Sequence, residues 1–223
     1  MMITQNLQQL RPSIPEGVTL VCVSKFHSED AILEAYNAGE RVFGESKVQE
    51  LTAKQQNLPD DIQWHFIGHL QTNKVKYLVP FVQLIHGVDS VKLLVEINKQ
   101  AAKYQRIVDC LLQVHIASEA TKFGFSEAEL LDFLRSDDWR NLHYVRIRGL
   151  MGMATFTDNE VQVGKEFKSL KNLFELIKTE FSGRLQQFNV LSMGMSDDYR
   201  LAITEGSNMV RIGSKIFGHR SYP

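Results

Sequence analysis

Val18-Thr19-Leu20-Val21-Cys22-Val23 is an unbroken apolar run rich in β-branched residues, and it passes directly into Ser24-Lys25. Ser28-Glu29-Asp30 then opens a helix, with Ala31, Leu33, Ala35 and Ala38 spaced along one face and Gly39 to end it. A strand that is apolar on both faces must be covered on both, which is the condition of a parallel sheet beneath helices. The same unit recurs along the chain. Strands are predicted at 41–43, 63–67, 82–86, 107–116, 144–150, 188–191 and 209–212. Helices are predicted at 47–56, 73–78, 90–104, 126–134, 159–181 and 197–204, with a last short turn at 215–217. Eight such units in 223 residues, after an extra N-terminal helix, predict an α/β fold of the (β/α)8 TIM-barrel type. A doubly wound sheet shares the alternation, but it favours a Gly-rich first turn, and neither G-x-G-x-x-G nor G-x-x-x-x-G-K-[ST] occurs. No Pro/Gly/Ser stretch is long enough to act as a linker, so one domain spanning 1–223 is expected.

Charge narrows the function classes. The chain has 25 Lys and Arg against 26 Asp and Glu, a net charge of −1, which provides no long-range field for nucleic acid or an anionic membrane. Its hydrophobic fraction of 43% is that of a globular protein. No apolar run approaches the ~18 residues of a membrane span. Residues 1–10 are polar and lack the apolar stretch of a secretory signal. Cys22 and Cys110 sit inside apolar runs and read as buried, reduced thiols. A cytoplasmic protein that binds neither nucleic acid nor membrane is expected.

In a parallel barrel the chemistry collects at the carboxyl ends of the strands. Lys25 closes the first strand, where partial desolvation lowers an ammonium pKa and frees the amine to attack a carbonyl. The seventh strand ends in Ser192-Met193-Gly194-Met195-Ser196-Asp197-Asp198 and the eighth in Arg211-Ile212-Gly213-Ser214. Small residues ahead of a helix leave backbone N–H groups to face an anion, and a phosphate suits them best. Taken singly, Gly194 and Gly213 read as tight turns and Ser196 as a helix cap; the shared chemistry of two neighbouring loops favours an anion site. His65 and His69 are four residues apart but lie in a strand-to-loop segment, where such spacing does not converge, so no metal site is expected. Lys122, after the fifth strand, reads as a solvated charge or a phosphate contact. Met151, Met153, Met193 and Met195 read first as barrel packing.

Several segments occur in an order that resembles a known family. They are Val23-Ser24-Lys25, Phe43-Gly44-Glu45, Trp64 through Lys74 (W-H-F-I-G-H-L-Q-T-N-K), Lys122-Phe123-Gly124 and Arg148 through Ala154 (R-G-L-M-G-M-A). Leu191 through Asp198 and Val210 through Gly218 complete the series. The chain resembles the pyridoxal phosphate homeostasis family, also called proline synthetase co-transcribed, from about residue 6 to 220. The resemblance implies the barrel of the alanine racemase N-terminal domain, with pyridoxal 5′-phosphate (PLP) held as a Schiff base on Lys25. It further implies that Ser192, Gly213 and Ser214 bind the phosphate and that Arg211 faces the pyridine nitrogen. Met195, Ser196 and His65 are placed around the same cofactor. A guanidinium only donates, so the ring nitrogen facing Arg211 stays unprotonated and the ring is a poor electron sink. Two positions depart from the family pattern: G-E-N is here Gly44-Glu45-Ser46, which removes an amide, and G-S-T is Gly206-Ser207-Asn208.

Alanine racemase uses a lysine on one face of its cofactor and a tyrosine from a second domain on the other. This chain ends at Pro223, five residues after Gly218, so a monomeric carrier that releases PLP to apo-enzymes is expected rather than a racemase. The rivals are an amino-acid racemase or other PLP enzyme, with Tyr199 or Tyr222 as candidate second bases, and a barrel that binds another phosphate metabolite without covalent chemistry.

Overall fold

A computed structural model describes residues 2–118 and 123–218. Eight parallel strands close into a barrel in sequence order: β1 (Thr19–Val23), β2 (Val42–Glu45), β3 (Gln63–Phe66), β4 (Leu84–Val88), β5 (Val108–Gln113), β6 (Val145–Met151), β7 (Val190–Ser192) and β8 (Met209–Ile212). Helices α2 (Glu29–Asn37), α3 (Val48–Asn57), α4 (Val75–Leu78), α5 (Val91–Ala102), α6 (Glu127–Ser136), α7 (Glu160–Glu180), α8 (Tyr199–Thr204) and α9 (Ser214–Phe217) follow the strands in turn. Helix α1 (Met2–Leu10) precedes the barrel, burying Ile3, Leu7 and Leu10, and Asn6 Nδ2 donates to the Ile216 carbonyl at 2.8 Å. The (β/α)8 barrel with a leading helix is therefore the fold, as the alternation predicts.

Strand alternation produces two layers of packing. Outward residues such as Cys22, Phe43, Phe66 and Leu112 join the large core between sheet and helices. Val21, Leu84, Leu111, Met151 and Met209 fill the barrel itself. Towards the carboxyl ends the interior turns polar, with His65, His86, Gln113, Ser192 and Arg211 all buried. A closed apolar plug under a polar layer directs the chemistry to one end of the barrel.

Three strands end elsewhere than expected. The apolar run 107–116 leaves the sheet after Gln113, and Val114 instead bridges Phe125 from the following loop. Phe188 lies outside β7 because its ring stacks on Phe174 at 5.0 Å, in the core beneath α7. Val82 packs below β4 as a buried connection. In each case the apolar residue is buried as predicted, but outside the named strand. The expected turn at 215–217 is the short helix α9.

Candidate functional site

The carboxyl ends of β1, β7 and β8 surround a cavity of about 470 Å³, within the ~300–1,000 Å³ range of small-molecule sites. Lys25 is half-buried in its wall, at the first position of a turn closed by the His27 N–H donating to the Ser24 carbonyl at 3.1 Å. The two loops predicted to face an anion are tied to each other. The Arg211 N–H donates to the Gly194 carbonyl at 3.0 Å, and the Gly213 N–H to Ser196 Oγ at 3.3 Å. Gly194 adopts a φ of +96°, and a Cβ there would press into Ala202 and the backbone of Tyr199. Only glycine lets the β7 loop lie this close to α8.

Arg211 points into the barrel and is 4% exposed. Its Nη1 donates to Ser192 Oγ at 2.6 Å and to the Ser192 carbonyl at 3.0 Å, and its Nη2 donates to the Gly152 carbonyl at 3.2 Å. Burial lowers its pKa to about 10, so it remains charged at neutral pH. Among the described residues no carboxylate forms an ion pair with it. Its hydrogen-bond partners are all neutral and only the longer-range charge of Asp198 opposes the cost of burial, which an electron-rich ligand in the adjoining cavity would relieve further.

Beneath the cavity the polar chain continues. Ser192 Oγ meets His86 Nδ1 at 3.1 Å, and His86 Nε2 meets His65 Nδ1 at 3.0 Å. Burial pushes the His65 pKa down to about 3 and that of His86 well below its usual range, so both imidazoles are neutral at pH 7. Arg211 donates to Ser192 Oγ, and the tautomers of His86 and His65 set the direction of the two hydrogen bonds beyond it. Linkage gives these imidazoles a signature. Their folded pKa values lie below the unfolded value of about 6.5, so the unfolded state binds more protons between about pH 6.5 and 3. Stability is full above that window and falls as pH drops through it, by up to about 1.4 kcal/mol per pH unit for each imidazole. His86→Gln is expected to flatten the decline measured by denaturant titration between about pH 6 and 4. An unchanged slope would mean that His86 titrates alike in the folded and unfolded chains.

Of the predicted residues, Lys25, Met195, Ser196, Arg211, Gly213 and Ser214 line the cavity. Ser192 and His65 do not. Both are buried, because strand alternation turns them into the barrel on the face shared with Leu84, Met151 and Met209, where each contacts His86. Ser192 is thus the seat of the Arg211 guanidinium rather than a residue of the cavity wall. Lys122 and Tyr222 lie outside the described residues. Tyr199 is buried, with its hydroxyl at 2.9 Å from Ser13 Oγ and accepting from Arg200 Nε at 3.0 Å, and it is absent from the cavity wall. His69 leaves His65 to pair with Asp89 at 3.0 Å, so the two histidines do not converge. Reading the sequence missed His86, although a histidine closing the apolar run 82–86 is a detectable mark of a buried polar position.

The family described as "Alanine racemase, N-terminal domain" matches residues 2–221. A pyridoxal phosphate homeostasis protein of Aquifex aeolicus is 40% identical over 204 residues, covering 91% of this chain and 87% of that protein. One from Pasteurella multocida is 37% identical, covering 100% and 99%. Among solved structures, PipY of Synechococcus elongatus with PLP bound superposes with a TM-score of 0.87 at 35% identity, covering 97% of this chain and 100% of that one. An alanine racemase of Clostridium difficile, 14% identical with a TM-score of 0.74, shares the fold over 99% of this chain and 56% of its own.

Proposed function

The chain belongs to the alanine racemase N-terminal domain family, among the pyridoxal phosphate homeostasis proteins, and on that premise we propose that it holds PLP on Lys25 and releases it to acceptor amines. The observation that carries this reading is the pairing, across one cavity, of a half-buried lysine with a buried guanidinium that lacks a carboxylate partner. PLP when bound supplies an aldehyde that condenses reversibly with a primary amine, releasing water. Lys25 is the amine-bearing residue of the wall and would hold the aldehyde there. Gly213 precedes α9 and Ser214 begins it; the Gly213 N–H is taken by Ser196 Oγ, while the Ser214 and Lys215 N–H groups have no helical acceptor and would face the phosphate. Ser196 fixes Gly213 from the opposite loop, and Met195 provides an apolar side wall.

Arg211 would donate to the ring nitrogen and take no proton from it. That arrangement supports holding the cofactor over deprotonating an amino acid, and a tyrosine engaged by Ser13 and Arg200 is no second base. Arg211→Met removes a charge-assisted hydrogen bond worth about 1.5–3 kcal/mol, so PLP should bind roughly 10–150-fold more weakly in an equilibrium titration. Unchanged affinity would show that the guanidinium does not meet the ligand.

The recipients are apo-enzymes that present an active-site lysine, and the chain acts as a cytoplasmic monomer. Cys22 and Cys110 are unpaired and buried, in keeping with a reducing compartment, and burial pushes the Cys22 thiol well above its usual range. Among the described residues no helix is long and apolar enough to cross a membrane. Titrating the purified protein with PLP tests the reading. The expected result is a visible absorption band that saturates at one equivalent and is discharged by an added primary amine. Saturation without the band would leave a non-covalent phosphate binder instead.

A further inference from the structure

Lys25 belongs to two peptide groups, and charged side chains of the second strand–helix unit hold both. On its N-terminal side the Ser24 carbonyl accepts from Lys54 Nζ at 2.9 Å. On its C-terminal side the Phe26 N–H donates to Glu50 Oε1 at 2.6 Å. Lys54 joins the two grips, donating also to Glu50 Oε1 at 2.7 Å and to Glu45 Oε1 at 2.8 Å. The Ser24 hydroxyl donates to that same Glu45 oxygen at 2.7 Å. The three protons of the Lys54 ammonium are thereby matched by three acceptors, each belonging to the Lys25 turn or to a carboxylate that bonds it.

This cluster lies outside the barrel wall, between β2 and α3, away from the cavity. The Lys54 and Glu45 side chains are 7% and 0% exposed, and that of Glu50 is 20% exposed. A buried ion pair is a poor source of net stability compared with apolar packing of the same volume. Glu45 Oε2 has no hydrogen-bond partner among the described residues, so the cluster is not optimised for its own satisfaction. Its grip instead maintains an unfavourable backbone. Phe26 adopts a φ of +67°, a conformation that an aromatic residue keeps only where its surroundings over-determine it. Lys47, at the start of α3, adds a contact of 4.5 Å to the Phe26 ring. α3 therefore meets the residue after Lys25 through both its main chain and its side chain.

We propose that Glu45, Glu50 and Lys54 are positioning residues for Lys25, clamping both of its peptide groups so that its amine enters the cavity at a fixed place. This inference rests on the reading of Lys25 as the amine that captures PLP. None of the three lines the cavity, so their effect on capture is transmitted through the turn.

The test compares two ligands on the purified full chain: PLP, and 4′-deoxypyridoxine 5′-phosphate, which keeps ring and phosphate but has no aldehyde. Glu50→Ala should weaken covalent capture by about tenfold or more, the scale of one lost charge-assisted hydrogen bond, while leaving the aldehyde-free ligand within about twofold of wild type. Glu50→Gln, whose amide oxygen can still accept from Phe26, should recover most of the loss. The double variant Glu45→Gln/Lys54→Met removes both buried charges together and should behave like Glu50→Ala. Amide exchange at Phe26, followed without any ligand, should accelerate in Glu50→Ala and not in Glu50→Gln. Unchanged covalent capture in Glu50→Ala would overturn the proposal, and so would equal weakening of both ligands, which a merely structural role predicts. If the wild-type chain itself captured no PLP, the function reading would fail, and the exchange rates at Phe26 would still report whether the clamp exists.

Discussion

Lys25→Ala is expected to abolish the visible absorption that PLP acquires on this protein, without abolishing binding of the aldehyde-free phosphate ligand. The first effect is total because no other side-chain amine lines the cavity among the described residues. The second follows because Arg211 is held by Ser192 and Gly194 at the end of β7, and Gly213 by Ser196. Thermal stability should change little. Lys25 is a half-buried side chain at a turn, and substitutions outside the core move stability by only about 0.5 kcal/mol. Visible spectroscopy, a titration with the deoxy analogue and a melting curve together check all three. A visible band that survived in Lys25→Ala would remove the covalent assignment.

The second large effect is on folding. Gly149 lies where β6 shifts register: Ile147 pairs with Cys110 and Gly149 with Leu111, leaving Arg148 as an extra residue. Its φ of +155° and its contact with β7 leave no room for a side chain, since a Cβ would run into the Val190 backbone. Gly149→Ala combines backbone strain of about 1–3 kcal/mol with overpacking of about 1–3 kcal/mol. The sum, about 2–6 kcal/mol, corresponds to a fall in melting temperature of order 10 °C for a chain of this size. Gly183→Ala, where the added methyl meets nothing within 4 Å, serves as control and should stay within about 0.5 kcal/mol. Equal melting temperatures for the two variants would contradict the register shift.

The barrel is legible in the sequence because burial on both faces makes its strands read as apolar runs and its helices as periodic ones. Val18 to Val23 is the clearest of these runs, and β1 lies within it. Runs at 107–116 and 188–191 mislead by a few residues, since burial against a helix and burial in a ladder select the same side chains. At the site, position along a strand is what the sequence reveals. Lys25 and the two loops are marked out because they follow apolar runs, whereas Arg211, inside β8, is marked out by the family resemblance. Depth is not revealed, so Ser192 and His65, which carry the same polar mark, prove to be buried in the barrel rather than in the cavity wall. The Lys54 clamp was invisible for a different reason. Glu50 and Lys54 have the i, i+4 spacing of an ordinary solvated helix pair, and only the packing of α3 against the Lys25 turn distinguishes them.

Covalent capture at one lysine is most directly tested by reducing the PLP-loaded protein with borohydride and mapping the modified peptide by mass spectrometry. The phosphopyridoxyl group should be found on Lys25 alone at one equivalent of PLP. Its appearance on surface lysines instead, with Lys25 unmodified, would contradict the assignment.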